Sequence, residues 1–523
     1  MTQKRDHIVI VGGGTAGWLT AGLLASRLGC ARPGGVAITL IESPIVPSIG
    51  VGEGTLPSLR LSLATMGVDE AAFMRACDAT FKQGIHFADW YVNGEGEGQS
   101  YFHPFQSPRQ MGGVNLSPYW SLMADQLGCE FAAAVTPQYD VYRAGKAPKR
   151  LSDEAFSGPL NYAYHIDVFK FADFLKSVGL EKGVTHILDH VQGVELNDTG
   201  EIDHVITQER GVIKGDLFID CTGFSAHLLG KALGQDLTPI DDILFCDRAV
   251  ALPVPYERAD QPIPCVTRSS AQENGWTWEI SLKDRRGVGY VYSSRHTDPA
   301  RAEDVLRTYL GPIAEGREAR HLAMQTGYRK VQWKANCVAI GLSAGFLEPL
   351  ESTGILLVEA AATLLGDLFA RRGSLAPAAK VFNRAMVERF ENAIDFVKMH
   401  FALSNRDDTA FWRDNRNPQS WPQTLKDKLD VWAYRMPSQY DLTSVHETFR
   451  HINYEFILLG LGRGPDLSDN AAAYPYIEQA KREFAAIRQA GARAIQALPD
   501  HRALIEALQT QSFGAPLRAG MRG

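Results

Sequence analysis

The chain has 523 residues, 45% of them hydrophobic and 22% charged, with a net charge of −7. This is an ordinary globular balance, sized for one large domain or two to three smaller ones. There is no block of like charge and no interleaving of aromatic with basic residues, which argues against a nucleic-acid partner, and the apolar runs are too short and interrupted to span a membrane. The seven cysteines are scattered, odd in number and never spaced as CxxC. They suggest neither a disulfide framework nor a metal site, and point to a reducing cytoplasm. The first six residues are polar and lead into a strand, so no signal peptide is expected.

His7–Val11 reads as a buried strand of β-branched residues, followed by Gly12-Gly-Gly-Thr-Ala-Gly17 and a helix over Trp18 to Arg27. Gly12, Gly14 and Gly17 have GxGxxG spacing between strand and helix, the context in which that motif signals dinucleotide binding. A second strand, Val36 to Ile41, ends in Glu42, placed to accept hydrogen bonds from a ribose. A glycine-alternating stretch, Ser48 to Pro57, can strap over a ligand or be a plain loop.

Thr80 to Trp90 alternates as one strand, with Lys82 and Gly84 on one face and Gly84 leaving room for a ligand beside the lysine. Tyr101 to Phe105 is an aromatic turn, and residues 110–150 read as loop-rich, with Pro, Gly and Ser. A helix follows Asp167, then strands 186–188 and 191–196, and a strand Leu217 to Asp220 that ends in Asp-Cys-Thr-Gly. Residues 243–295 read as a run of strands, with Trp276, Trp278 and Ile280 on one face.

Val338 to Ile340 is a further short strand. It leads through Gly341-Leu-Ser-Ala-Gly-Phe-Leu-Glu-Pro-Leu-Glu-Ser-Thr-Gly-Ile355 into a mostly buried helix. Free N–H groups and partial positive charge at that helix start suit an anion or an electron-rich ring edge, while Ser352 and Thr353 are also good capping residues. Helical patterns then dominate at 361–371, 378–403, 424–435, 475–498 and 502–508. Two domains are expected: a nucleotide-binding module with an interleaved substrate-side sheet over 1–360, and a helical region over 361–523 that completes the substrate site.

Three motifs together narrow the reading. Gly12-Gly-Gly-Thr-Ala-Gly17-Trp18, Trp276-Thr-Trp278-Glu-Ile280 and Glu348-Pro-Leu-Glu351-Ser-Thr-Gly-Ile355 resemble the nucleotide loop, the WxWxIP signature and the active-site segment of flavin-dependent tryptophan halogenases. The resemblance runs from residue 7 to at least 460. It implies an α/β (α+β mixed) fold: an FAD-binding Rossmann-like domain of the p-hydroxybenzoate-hydroxylase type, an added β-sheet substrate layer and a helical C-terminal region.

It also implies roles. FAD would contact Gly12, Gly14, Thr15, Ala16, Gly17, Glu42, Gly50, Gly341, Leu350 and Ile355. Chloride or bromide would sit at the N–H groups of Thr353 and Gly354. Reduced flavin, supplied as FADH2 by a separate reductase, would with dioxygen turn the halide into hypohalous acid. Trp276 and Trp278 would keep the organic substrate from that step. The oxidant would travel through an internal tunnel to Lys82, with Glu351 fixing it or taking the proton lost on rearomatisation. His103 and Phe105 match the positions that sandwich an indole. The resemblance leaves room for a homodimer.

Two departures matter. Ser281 replaces the proline that closes the WxWxIP signature. The segment Met436 to Glu447 lacks the adjacent tyrosines that anchor free tryptophan, so an indole compound without that amino-acid tail fits better. The alternatives are a single-component aromatic hydroxylase using NAD(P)H, or a non-catalytic flavin-binding paralogue.

Overall fold

The computed structural model describes residues 5–46, 53–442, 444 and 447–514. The chain forms two compact units, each assembled from three segments: 1–77, 166–240 and 325–391 in the first, 78–165, 241–324 and 392–523 in the second.

The first unit is built on a six-stranded sheet. His7–Val11 pairs in parallel with Ala37–Glu42 on one side and Leu217–Asp220 on the other. Thr185–Leu188 and Cys337–Ala339 extend the sheet in parallel, and Trp333–Lys334 closes one edge antiparallel. The central strands His7–Val11 and Leu217–Asp220 are buried on both faces, which is why they read as nearly continuous apolar runs. Val9, Val11, Ile41, Phe218 and Leu228 belong to one core cluster. The Thr15–Leu28 helix packs against the Val168–Glu181 and Thr353–Leu368 helices.

The second unit is built on an eight-stranded sheet, mostly antiparallel. Its order runs from Arg320–Ala323 through Arg248–Ala251, Arg285–Tyr292, Gly275–Ser281, Thr267–Gln272 and Gly84–Val92 to Gly98–Pro104, and the eighth strand, Val254–Pro255, also pairs with Arg285–Tyr292. Thr267–Gln272 and Gly84–Val92 pair in parallel. The Pro299–Leu310 helix covers a core that includes Val250, Val288, Tyr290 and Leu306. Beyond the sheet the unit is helical, with Ala410–Arg416, Gln423–Trp432, His451–Gly460, Ile477–Ala497 and His501–Ala507.

Two expectations change. Residues 110–150 are less loop-rich than expected: they hold the helices Ser117–Leu127, Phe131–Val135 and Gln138–Arg143. Pro118 at the first turn and Gly128 in the left-handed region bound the longest of these, so residues read as loop punctuation are helix ends. Nor is Thr80 to Trp90 one strand. Thr80–Lys82 ends before Gln83, whose N–H bonds instead to the Cys265 carbonyl at 2.7 Å, and Gly84–Val92 begins anew.

Candidate active site

The glycine loop gives each of its glycines a separate physical reason. A Cβ on Gly17 would lie 1.8 Å from the Gly12 carbonyl oxygen, so helix and strand could not close up with any other residue there. A Cβ on Gly14 would meet nothing within 4 Å, which leaves open space over the start of the Thr15–Leu28 helix. Glu42 stands against this loop, since a Cβ on Gly13 would strike its side chain. Its Oε2 lies 3.1 Å from Lys176 Nζ and 2.8 Å from His186 Nε2. Trp18 is buried against the same His186, with ring centroids 5.3 Å apart.

The later turn repeats the pattern. Gly341 has φ +79° and no room for a side chain, because a Cβ would come within 2.7 Å of Ala16 Cβ; the turn therefore presses on the first helix. Leu350 and Ile355 are buried. Ser352 is left-handed (φ 58°, ψ 38°) and precedes the Thr353–Leu368 helix without capping it through its side chain. This corrects the expectation that Ser352 would satisfy the helix end. A non-glycine residue in this region stores of order 1 kcal/mol of strain, and such strain concentrates at functional turns. The two helices that start at Thr15 and Thr353 lack side-chain caps, as do those that start at Ser58, Ser117 and Gln423. Free N–H groups at uncapped starts are what an anion binds. Gly354 is exposed, and a Cβ there would meet nothing within 4 Å. Glu351, two residues before the helix, is completely buried. Gly50 falls outside the described residues.

In the second unit Lys82 is completely buried, unlike the usual solvated lysine. Its Nζ sits 5.3 Å from the centre of the Phe105 ring, within cation–π range. The strand pairs Thr80, Phe81 and Lys82 with His165, Tyr164 and Ala163. Thr80 and His165 therefore share the face of Lys82, and the aromatic residues take the other. Burial and then the Lys82 charge hold the His165 imidazole well below its ordinary range, so it is neutral. Its Nε2 lies 2.8 Å from Thr267 Oγ1.

Gly84 does not leave room for a ligand, as the alternation suggested. A Cβ there would lie 2.4 Å from the His103 carbonyl oxygen and 2.7 Å from the Phe102 ring, so this glycine lets two strands close up. His103 is buried, packs against Phe396 and Phe456, and pairs through Nε2 with Asn453 Nδ2 at 3.0 Å. Asn453 lies in the helix His451–Gly460, a stretch for which the sequence suggests no element, and nothing near it in sequence points to His103.

Trp276 and Trp278 share one sheet face with ring centroids 6.4 Å apart, and both are buried. The Trp278 ring lies over Gly289, where a Cβ would come within 2.1 Å of it. Ser281 is the last residue of their strand, and its carbonyl accepts the Thr80 hydroxyl at 2.5 Å. A proline keeps its carbonyl, so the serine found here leaves that contact unchanged.

A glycine loop opening onto a bare helix start after the first strand of a parallel sheet defines a dinucleotide-binding protein. The comparisons with known proteins narrow that class. The family model described as "Tryptophan halogenase" matches residues 7–475. The tryptophan 6-halogenase SttH of Streptomyces toxytricini is 35% identical over 95% of this chain and 97% of its own. The tryptophan 7-halogenase RebH of Lentzea aerocolonigenes is 35% identical over 95% and 98%. Among solved structures, a tryptophan halogenase from Shewanella frigidimarina superposes with a TM-score of 0.93 at 39% identity, covering 98% of this chain and 99% of that one. BrvH, a flavin-dependent halogenase from Brevundimonas, gives 0.86 at 32% identity, covering 97% and 99%.

The chain belongs to the tryptophan halogenase family and is an enzyme of the flavin-dependent halogenase type. Neither the hydroxylase nor the non-catalytic alternative gains support. FAD is the cofactor the family implies, and the residues present fit it: the open space at Gly14, the bare start of the first helix and the close approach of Gly341 to Ala16 form a cradle that side chains would fill.

Proposed function

We propose that this enzyme uses reduced FAD, dioxygen and chloride or bromide to halogenate an indole-type aromatic substrate. The glycine loop, Glu42, Gly50 and the turn from Gly341 to Ile355 would hold the cofactor. When bound in its reduced form, FAD supplies with dioxygen the oxidising power that converts a halide to hypohalous acid. The N–H groups of Thr353 and Gly354 hold the halide, favoured by the partial positive charge of the helix start. Trp276 and Trp278 keep the aromatic substrate from the oxidation step.

Lys82 receives the oxidant and either orients it by hydrogen bonding or carries the halogen as a haloamine. Glu351 fixes the oxidant or accepts the proton released when the ring rearomatises. His103 and Phe105 hold the indole, and the ring carbon kept near Lys82 is the one halogenated. Residues 361–523 complete the substrate site. A separate reductase delivers the reduced flavin by diffusion.

The observation that carries this reading is the completely buried Lys82 beside the Phe105 ring, in a chain of this family. The substrate is an indole compound without a free amino-acid tail. No adjacent tyrosines stand in Met436 to Glu447, and Asp441 is taken up by Arg435, the Trp432 indole N–H and the Ser438 N–H. The test is mass spectrometry after incubation with FAD, a flavin reductase, NADH and either halide, using indoles that include free tryptophan. A product that gains oxygen rather than halogen overturns the proposal.

A further inference from the structure

The strand that carries Lys82 is three residues long, and among the described residues one of its edges is covered by a neighbouring strand. On the other edge the N–H groups of Phe81 and Gln83, the residues on either side of Lys82, need partners. Gln83 finds one in the backbone, the Cys265 carbonyl at 2.7 Å. Phe81 does not. Its N–H donates to His501 Nε2 at 3.0 Å, and His501 Nδ1 lies 2.8 Å from the carbonyl of Ile263. A carbonyl only accepts, so Nδ1 carries the proton and Nε2 is the acceptor. The imidazole therefore bridges the Phe81 N–H and the Ile263 carbonyl.

Its own position is fixed from several sides. The His501 N–H bonds to the Gly145 carbonyl at 2.9 Å and the Ala147 N–H to the Pro499 carbonyl at 2.9 Å. The Gln83 side chain returns to the Lys146 carbonyl at 2.8 Å. The Phe81 ring stands on the opposite face from Lys82 and is 5.9 Å from the His501 ring and 6.4 Å from Phe513. His501 is 1% exposed, and burial pushes its pKa down to about 4, so the neutral form with one acceptor nitrogen persists.

We infer that His501 is a positioning residue for halogen transfer: its imidazole replaces a missing backbone rung and fixes the strand on which Lys82 stands. It touches neither substrate nor oxidant and acts through Phe81. This inference rests on the role of Lys82 proposed above.

The test compares His501→Ala, His501→Gln and His501→Asn in the full-length enzyme with FAD, reductase, NADH and halide. Glutamine can present an acceptor where Nε2 stands, whereas asparagine reaches only the donor position of Nδ1. Two products are measured in each reaction: halogenated indole, and hypohalous acid escaping into solution, trapped as the haloamine of added taurine. Positioning predicts that the ratio of halogenated indole to trapped oxidant falls at least tenfold in the alanine and asparagine variants. Total oxidant should stay within twofold of the parent, and glutamine should recover half or more of the ratio. A ratio equal to the parent's in the asparagine variant, or a loss that glutamine does not recover, overturns the inference. If the alanine protein is insoluble, the glutamine and asparagine pair carries the same contrast. Lys82→Ala, run beside them, separates the two claims. Halogenation that survives it removes the Lys82 assignment and this inference together. Halogenation abolished in Lys82→Ala but unaffected in His501→Asn removes this inference alone.

Discussion

The Glu359 carboxylate, on the helix that begins at Thr353, accepts the hydroxyls of both Ser62 and Ser58, the latter at 3.0 Å. It is 3% exposed, and burial pushes its pKa from 4.5 up to about 7, partly offset by the two serines. Because the folded pKa is raised, the native state holds this proton where the unfolded chain has lost it. The stabilisation is full below pH 4.5 and disappears as pH rises through about 7. Glu359→Gln should therefore be less sensitive to alkali. The difference between pH 5 and pH 8 in urea-unfolding free energy should shrink by on the order of 2–3 kcal/mol relative to the parent. An unchanged difference would show that the site is wetter than its burial implies.

Lys82→Ala should lower halogenated product by at least two orders of magnitude while FAD affinity stays within about twofold, because Lys82 lies in the second unit and the cofactor cradle in the first. Mass spectrometry reads the product, and quenching of flavin fluorescence reads the affinity. Product within tenfold of the parent contradicts the assignment.

The glycine loop predicts two different failures. Gly14→Ala meets no atom within 4 Å and suits a backbone at φ −76°. The protein without cofactor should keep its stability to within about 0.5 kcal/mol, yet lose at least tenfold in FAD affinity. Gly17→Ala puts a methyl 1.8 Å from the Gly12 carbonyl oxygen and should fail earlier, with a visible fall in thermal midpoint. Thermal unfolding followed by FAD titration distinguishes the two; equal behaviour would mean that no ligand approaches Gly14.

Ser352→Gly should stabilise the protein by up to about 1 kcal/mol, since glycine accepts φ 58° without strain and the serine side chain makes no cap to lose. Chemical denaturation measures it. A loss of more than about 1 kcal/mol would mean that the serine side chain carries a stabilising contact.

Much of the first unit is legible because its constraints are local. Strand, glycines, helix and second strand follow one another within 42 residues, and the Gly17 clash with the Gly12 carbonyl lies within the motif itself. The two tryptophans on one face follow from strand alternation alone. What escaped depends on distant partners. Glu359 is one carboxylate in an apolar helix, and its serines lie 301 and 297 residues upstream. Asn453 gains meaning only from His103, 350 residues away. Gly84 was misread for the same reason, since what fills its space is the neighbouring Phe102 and His103 rather than a ligand. The helices between 117 and 143 escape because each is short and the breaks between them, Gly128 and Pro137, cut the apolar positions into pieces too brief to show a period.

The histidine rung has a consequence for the order of synthesis. Phe81 and His501 are separated by 420 residues, so the strand bearing Lys82 leaves the ribosome long before the imidazole that secures it. A nascent or truncated chain can hold the complete glycine loop and the Thr353 helix and still lack the bridge at Phe81. The amine that handles a corrosive oxidant is set in place only when nearly the whole polypeptide has been made.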